Sequence, residues 1–309
     1  MSGTWIVVLN WNGRDDTLEL LDTLAGEPAT VLVVDNGSFD GTLEAVRERH
    51  PEVHTLQTGA NLGYAGGNNV GITQALAADA DIVAVLNNDT LVEPGFLTPL
   101  VEIAADGAAA VSPDIRYADE PEVSWFRGSR IDLRDGWPQH LPPADQPPAA
   151  AGPFASPVLT GCCVVASAQT WRRVGLFDDG MFLMFEDSDW SRRAADAGVD
   201  LIVAPRSRIR HKVSRSFTGE ASVLGTYYFA RNGAVFAARH LGVRGTARFV
   251  VRRVLRSTLG ELRDPARRPF ALMAYLGLLA ALTRRRGPAG RVATALARRV
   301  VAGSAVAGH

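Results

Sequence analysis

Ile82-Val83-Ala84-Val85-Leu86-Asn87-Asn88-Asp89-Thr90 is the stretch on which the rest of the chain is read. A short apolar run bounded by polar residues is the pattern of a strand buried on both faces. This one delivers two amides and a carboxylate at its carboxyl end. Open α/β sheets bind ligands outside the carboxyl ends of their strands. Asp89 is therefore a candidate site residue, provided neighbouring strands bring it partners.

The flanking sequence supplies such strands. Thr4–Asn10 reads as a buried strand, followed by a turn and helical spacing from Asp15 to Leu24. Val31–Val34 forms a second run that ends in Asp35, with helical residues from Gly41 to Arg49 and Ser38 or Asp40 as caps. Val53–Gln57 is a weaker third strand, and polar residues Thr58–Asn69 lead into a helix through Ala78. Downstream, Pro94 opens a helix to Ala105 and Ala108–Val111 is a strand. Periodicity is lost from Arg116 to Pro157, where seven prolines fall between Pro138 and Pro157; a hairpin and a wandering loop are expected there. Residues 158–166 are apolar again, Ser167–Val174 is a short helix, and Glu186 begins a helix that Gly198 ends. Leu201–Ala204 is the last strand, and the chain beyond 222 reads as helical. Strands alternating with helices predict an α/β fold with a mostly parallel central sheet.

Composition is that of a soluble globular protein, with 47% hydrophobic and 21% charged residues. Adjacent Cys162 and Cys163 rule out a disulfide framework and are expected to be small buried hydrophobes of a reducing compartment. The start lacks the pattern of a signal peptide. The longest apolar run, Phe270–Leu282, is too short to span a bilayer. A cytoplasmic location is expected. Charge is strongly polarised: residues 205–309 hold 21 of the 32 basic residues and three of the 33 acids, a net of +18 against −19 before them. Lys212 is the single lysine of the chain; every other basic side chain is Arg. The basic tail has two readings. It rests on an anionic membrane surface, or it packs against the enzyme or a second subunit as in a homodimer. No motif for nucleic-acid recognition accompanies the arginines.

Each candidate site residue has a structural alternative. Asn61–Asn69, with four small residues, suits close approach to a phosphate, or is an ordinary glycine-rich turn; neither a dinucleotide fingerprint nor a P-loop lysine is present. Asp35 can accept a hydrogen bond from N3–H of uracil or thymine, or cap a turn. Asp89 can bind a divalent cation, or cap a strand end. Glu186, Asp187 and Asp189 exceed what a helix dipole needs, and a carboxylate there suits a general base. His211 sits in what reads as an Arg-rich loop, Arg206–Arg215, whose cations suit a departing diphosphate.

Seven segments in order resemble family 2 glycosyltransferases of the GT-A fold, especially the rhamnosyltransferase-like branch: residues 7–13, 33–42, 61–71, 86–90, 160–163, 185–190 and 227–232. The resemblance covers about residues 4–240. It implies a catalytic domain over 1–222, with a nucleotide-binding half to about 115 and an acceptor half from 116, and a basic helical region over 223–309. It implies that Val8, Leu9, Asn10 and Asp35 hold the base, and that Gly63, Ala65, Asn68, Asn87, Asn88 and Lys212 line the nucleotide side. Asp89 then stands last in a DXD-type motif whose first acid is here Asn87, with His211 as a further ligand to magnesium or manganese. Asp187 matches the catalytic base, with Glu186 and Asp189 orienting the acceptor or the base. The implied reaction is inverting transfer of a sugar from a dTDP- or UDP-sugar, dTDP-rhamnose first, to a glycan, lipid-linked or small-molecule acceptor. A sugar-nucleotide nucleotidyltransferase, or a binding module without catalysis, is the alternative.

Overall fold

The computed structural model describes residues 3–132, 137–213 and 219–307. The chain divides into two compact units: residues 1–130, 139–179 and 186–213 form one, and residues 131–138, 180–185 and 214–309 the other.

The first unit starts β1 (Thr4–Asn10), α1 (Arg14–Leu24), β2 (Thr30–Asp35), α2 (Thr42–Arg49), β3 (His54–Gln57), α3 (Gly63–Ala77) and β4 (Ile82–Asn87). It continues with β5 (Thr90–Val92), α4 (Leu97–Ala104), β6 (Ala109–Tyr117) and β7 (Ser124–Phe126). A short ribbon of β8 (Ser129–Asp132) and β9 (Trp137–His140), of which residues 131–132 and 137–138 fall in the second unit, follows, then β10 (Phe154–Ala155), β11 (Cys163–Ser167), α5 (Ala168–Val174), α6 (Glu186–Asp196) and β12 (Asp200–His211). The main sheet runs β10-β12-β6-β11-β4-β1-β2-β3, with β5 on β12 and β7 on β6. β4, β1, β2 and β3 are parallel, as their crossover helices require. β11 lies antiparallel between β4 and β6, so the sheet is mostly rather than wholly parallel.

Most of the apolar residues of β1 and β2, and all of those of β4, are buried, because both sheet faces are covered. The glycines of residues 63–71 do not form the expected turn. They fall inside the opening turns of α3, and only Gly63 (φ +76°) holds a left-handed conformation. Their smallness lets α3 sit directly on the sheet: a Cβ at Gly67 would stand 2.4 Å from a Leu9 methyl, and one at Gly71 2.3 Å from a Val7 methyl. Overpacking of that kind costs about 1–3 kcal/mol. β12 corrects a second expectation. The last strand does not stop at Ala204 but continues to His211, with a register shift between Ala204 and Arg208.

The second unit is helical: α7 (Gly219–His240), α8 (Gly242–Arg248), a π-helical turn over Phe249–Leu255, α9 (Arg256–Glu261), α10 (Arg268–Leu282) and α11 (Arg291–Ala307). Phe185, Phe236 and Phe249 centre one apolar cluster; Tyr227, Tyr228 and Met273 centre another. α7 and α10 cross closely, since a Cβ at Gly277 would stand 2.3 Å from the Tyr227 carbonyl oxygen. Residues 180–185 belong to this unit as a loop of unusual backbone. Phe182 (φ +63°), Met184 (φ +70°) and Phe185 (φ +71°) are all left-handed, a conformation that costs a non-glycine residue about 1–3 kcal/mol.

Candidate active site

The carboxyl ends of β1, β2 and β4 build one wall. Asn10 ends β1 beside Asp35, with which it is paired in register. Its side-chain N–H group donates to Asp35 Oδ1 at 3.1 Å and to Ser38 Oγ at 3.0 Å. Its amide oxygen accepts from the Gly13 N–H and from Thr17 Oγ1, both at 3.0 Å. Asp35, buried, also accepts from the Ser38 N–H at 3.2 Å. The carboxylate thus caps its turn and at the same time fixes Asn10. Asn88 donates to Thr17 Oγ1 at 3.1 Å and to Asn10 Oδ1 at 3.3 Å, so its amide pins β4 to the start of α1. Ala65 is buried; Asn68 donates to the Tyr64 carbonyl while its Oδ1 is buried without a hydrogen-bond partner among the described residues. Val8 is buried within β1, and Leu9 is partly buried where Gly67 packs on it.

β5 and β12 bring the metal candidates together. Thr90 pairs with His211, and the Asp89 carbonyl accepts from the Lys212 N–H at 2.9 Å. Asp89 Oδ1 and His211 Nε2 then meet at 3.1 Å, both side chains buried. His211 is therefore a strand residue, not a loop one. Its alternation with Ser207 and Ile209 on the buried side, against the arginines, was a readable strand signal. Trp125 lies edge-on to the His211 ring at 4.7 Å, and His140 to the Trp125 ring at 4.6 Å. Packing depresses the His140 pKa, against the upward pull of the Trp125 carbonyl and of Asp187. None of Thr17, Ser38, Trp125 and His140 stands out in the sequence as a partner of these groups.

Lys212 is ion-paired: its ammonium is held by Asp16 at 2.6 Å and Glu19 at 2.5 Å, and so ties the end of β12 to α1. Partial burial opposes its charge, but the two carboxylates prevail and raise its pKa.

The acid cluster separates into three roles. Asp189 is engaged with Arg193 at 2.9 Å, and that guanidinium also donates to the carbonyls of Val174 and Leu176. This pair, buried at Asp189 and part-exposed at Arg193, holds the α5–α6 connection. Asp187 is half-buried, accepting from the Gly161 N–H at 2.9 Å on Oδ2 and from the Ser188 N–H at 2.6 Å on Oδ1. Glu186 is buried, and its Oε2 has no hydrogen-bond partner among the described residues. Burial, reinforced by the charge of Asp187, pushes the Glu186 pKa up to about 8. Burial therefore favours the protonated form of Glu186 at neutral pH.

That shift has a stability signature. The unfolded chain releases the Glu186 proton near 4.5 and the folded chain near 8. The fold binds more protons than the unfolded chain between those values, so stability falls as pH rises through that window. Glu186→Gln removes this slope. Its melting temperature should match wild type near pH 5 and exceed it at pH 9; parallel curves in calorimetry from pH 5 to 9 would refute the assignment.

One backbone segment joins the two halves of the site. The Gly161 N–H binds Asp187, and the next carbonyl, Cys162 O, accepts from the Asn87 N–H at 3.0 Å. Tyr64 closes the same corner by donating to the Gly161 carbonyl at 2.5 Å; a Cβ at Gly161 would meet that hydroxyl at 2.9 Å. The general-base candidate therefore stands beside the strand that delivers Asp89. Cys162 and Cys163 are buried and free, and burial pushes the Cys163 thiol up to about 12. They are packing residues, as expected.

A mostly parallel sheet with polar groups gathered at its strand ends and an acid pair beside them defines the GT-A class of fold. Solved structures agree. The chain overlays Staphylococcus aureus TarS, residues 1–349, with a TM-score of 0.58 at 16% identity, covering 91% of this chain and 81% of that one. It overlays GalNAc-T7, solved with UDP, GalNAc and Mn2+, with the same score and identity, over 84% of this chain and 58% of the other's length. The sequence profile of Glycosyl transferase family 2 matches residues 5–168. The N-acetylglucosaminyl-diphospho-decaprenol L-rhamnosyltransferase of Mycobacterium tuberculosis is 32% identical over 248 residues, 73% of this chain and 80% of the relative. The dTDP-rhamnosyl transferase RfbF of Shigella flexneri is 22% identical over 213 residues, 69% and 70% of the two chains. The chain belongs to glycosyl transferase family 2, on its rhamnosyltransferase-like side, and is a glycosyltransferase that uses a sugar-nucleotide donor.

Proposed function

We propose that the chain transfers rhamnose, or another deoxysugar, from a dTDP- or UDP-sugar to a hydroxyl of a lipid-linked or glycan acceptor, with inversion. The observation that carries this reading is the Gly161–Cys162 bridge, which puts Asp187 beside the strand end bearing Asp89. Asp187 removes the proton of the acceptor hydroxyl while that oxygen attacks the anomeric carbon; the bond to the nucleoside diphosphate breaks on the opposite face, and the configuration inverts. Asp35 and Asn10 form the base end of the pocket.

Asp89 and His211 suit a divalent cation: one carboxylate oxygen and one imidazole nitrogen converge, and among the described residues no third His, Cys, Asp or Glu closes the group. Two protein donors leave coordination positions to the diphosphate oxygens and water. Bound there, magnesium or manganese supplies Lewis-acid stabilisation of the leaving diphosphate.

A lipid-linked acceptor accords with the second unit. Val251, Leu255, Leu259 and Leu262 are exposed apolar side chains within an Arg-rich stretch, a composition suited to the face of an anionic membrane. No helix among the described residues is long and apolar enough to cross a membrane.

Incubating the purified chain with labelled dTDP-rhamnose, UDP-sugars and a prenyl-diphosphate-linked acceptor tests the reading. The expected result is magnesium- or manganese-supported release of nucleoside diphosphate with label in the lipid phase, fastest from dTDP-rhamnose. Absence of release from every donor would overturn it.

A further inference from the structure

One histidine stands at the edge of the site with no part in it so far. His140 closes β9, and the residue after it is fastened at both backbone groups: the Leu141 N–H donates to the Gly128 carbonyl at 2.9 Å, and Gln146 Nε2 donates to the Leu141 carbonyl at 3.0 Å. The His140 ring lies edge-on to two side chains of β7, Trp125 at 4.6 Å and Phe126 at 5.1 Å. His140, Trp125 and Phe126 belong to the first unit, as do Asp89, Asp187 and His211.

A third restraint fixes the ring's proton. Nδ1 lies 3.1 Å from the Trp125 carbonyl oxygen. A carbonyl only accepts, so Nδ1 carries the hydrogen and donates it. Packing lowers the His140 pKa, with the Trp125 carbonyl, Asp187 and His211 as lesser influences, and the ring is neutral at pH 7. In that tautomer Nε2 bears a lone pair and no hydrogen, so it acts only as an acceptor. Nε2 has no hydrogen-bond partner among the described residues, and the residue is exposed. A ring held on three sides loses little freedom when a ligand meets the fourth. A histidine needed only to fasten the turn is complete with its Nδ1–H bond; the bare acceptor goes beyond that need.

Its surroundings decide what that acceptor meets. The Trp125 indole bridges the two imidazoles, 4.6 Å from His140 and 4.7 Å from His211. His140 is also within electrostatic reach of Asp187. It therefore stands near both the metal candidate, which takes the diphosphate, and the base candidate, which takes the acceptor hydroxyl. The piece of substrate that joins those two places is the transferred sugar. We propose that His140 determines donor specificity: its Nε2 accepts a hydrogen bond from a hydroxyl of the transferred sugar. This role rests on the reading of Asp187 as general base and of Asp89 with His211 as the diphosphate end. No bond forms or breaks at His140.

His140→Asn and His140→Gln in the full chain form the test. The first sets an N–H2 group where Nδ1 is now and stops short of Nε2; the second reaches Nε2 with an amide oxygen. The expected result for His140→Asn is a rise of about tenfold in KM for dTDP-rhamnose, with kcat and the acceptor KM within about twofold. His140→Gln should recover most of the loss. Wild type should lose the same factor on one of the monodeoxy analogues of dTDP-rhamnose, and His140→Asn should lose nothing further on that analogue. An unchanged donor KM, a rise confined to the acceptor, or equal impairment in both variants overturns the proposal. A fall in melting temperature with donor KM intact also overturns it, as the signature of a merely structural bond. If His140→Asn does not fold, His140→Gln and the analogue series on the wild-type chain read the same contact, and equal KM across the series overturns it. A wild-type chain inactive on every donor refutes the transfer reading alone. Calorimetry of dTDP-rhamnose against dTDP then decides His140: His140→Asn should erase the affinity that the sugar adds and leave that of dTDP unchanged, and a wild-type increment in the variant overturns the proposal.

Discussion

Asp187→Asn should lower kcat for sugar transfer by about 10²–10⁴-fold, the share of the rate that a positioned general base supplies. The substitution is close to isosteric, and an amide oxygen can still accept from the Gly161 N–H where Oδ2 does now. What disappears is the ability to take a proton from the acceptor. Binding of nucleoside diphosphate should stay within about twofold, because the pocket groups at Asn10 and Asp35 are untouched. Glu186 cannot substitute: burial keeps it protonated up to about pH 8. With the charge of Asp187 gone, the second cause of that elevation is also removed, so the Glu186 pKa should fall part of the way toward its ordinary value. Initial rates with saturating donor, set beside calorimetric titration of the diphosphate, check the prediction. A variant that transfers sugar at the wild-type rate removes Asp187 from the base role.

Asp89→Ala should act on the other side of the reaction. His211 is placed against the Asp89 carboxylate at 3.1 Å, so the substitution deletes one donor of the proposed pair and unfastens the second. Metal-dependent affinity for nucleoside diphosphate should fall at least about tenfold, roughly 1.4 kcal/mol. Affinity measured with a chelator present should be unchanged. The backbone link from Asp89 O to the Lys212 N–H does not depend on the side chain, so the fold should survive. Equal affinities with and without manganese in the wild type would remove Asp89 and His211 from any metal role.

The parts of this architecture that were legible in the sequence are those decided by local burial. β1, β2 and β4 announce themselves because strands covered on both faces must be continuously apolar, and each ends in the polar residue that the fold uses. The pairing of Asp89 with His211 followed from the resemblance, not from spacing, since 122 residues separate them. The errors have physical causes. The helix through Ala78 starts earlier than its sequence suggests: glycine is a poor helix former, but close contact with Val7 and Leu9 outweighs that propensity in the opening turns of α3. β12 was cut short at Pro205 and its charged continuation taken for a loop, although arginines alternating with Ser207, Ile209 and His211 have the period of a strand with one buried face. The ion pairs of Lys212 are not legible locally, because Asp16 and Glu19 lie nearly the whole domain away in sequence. The pairing of Asp189 with Arg193, one helical turn on, has the i,i+4 spacing of a helix. The left-handed loop left no glycine to mark it. Its path is imposed by side chains some fifty residues later, and no local rule reads such an imposition.

The tether between β12 and α1 has a practical side. Lys212 is the only lysine in 309 residues, so the molecule presents one ε-amine to acylating reagents. That amine is held as an ammonium by Asp16 and Glu19, its proton bound more firmly than in a free lysine. An unprotonated amine is the nucleophile in acylation, so the intact tether slows the reaction and its opening speeds it. Lys212 is thus a single side-chain reporter beside the His211 end of the site, in a chain whose arginines are inert to the same chemistry.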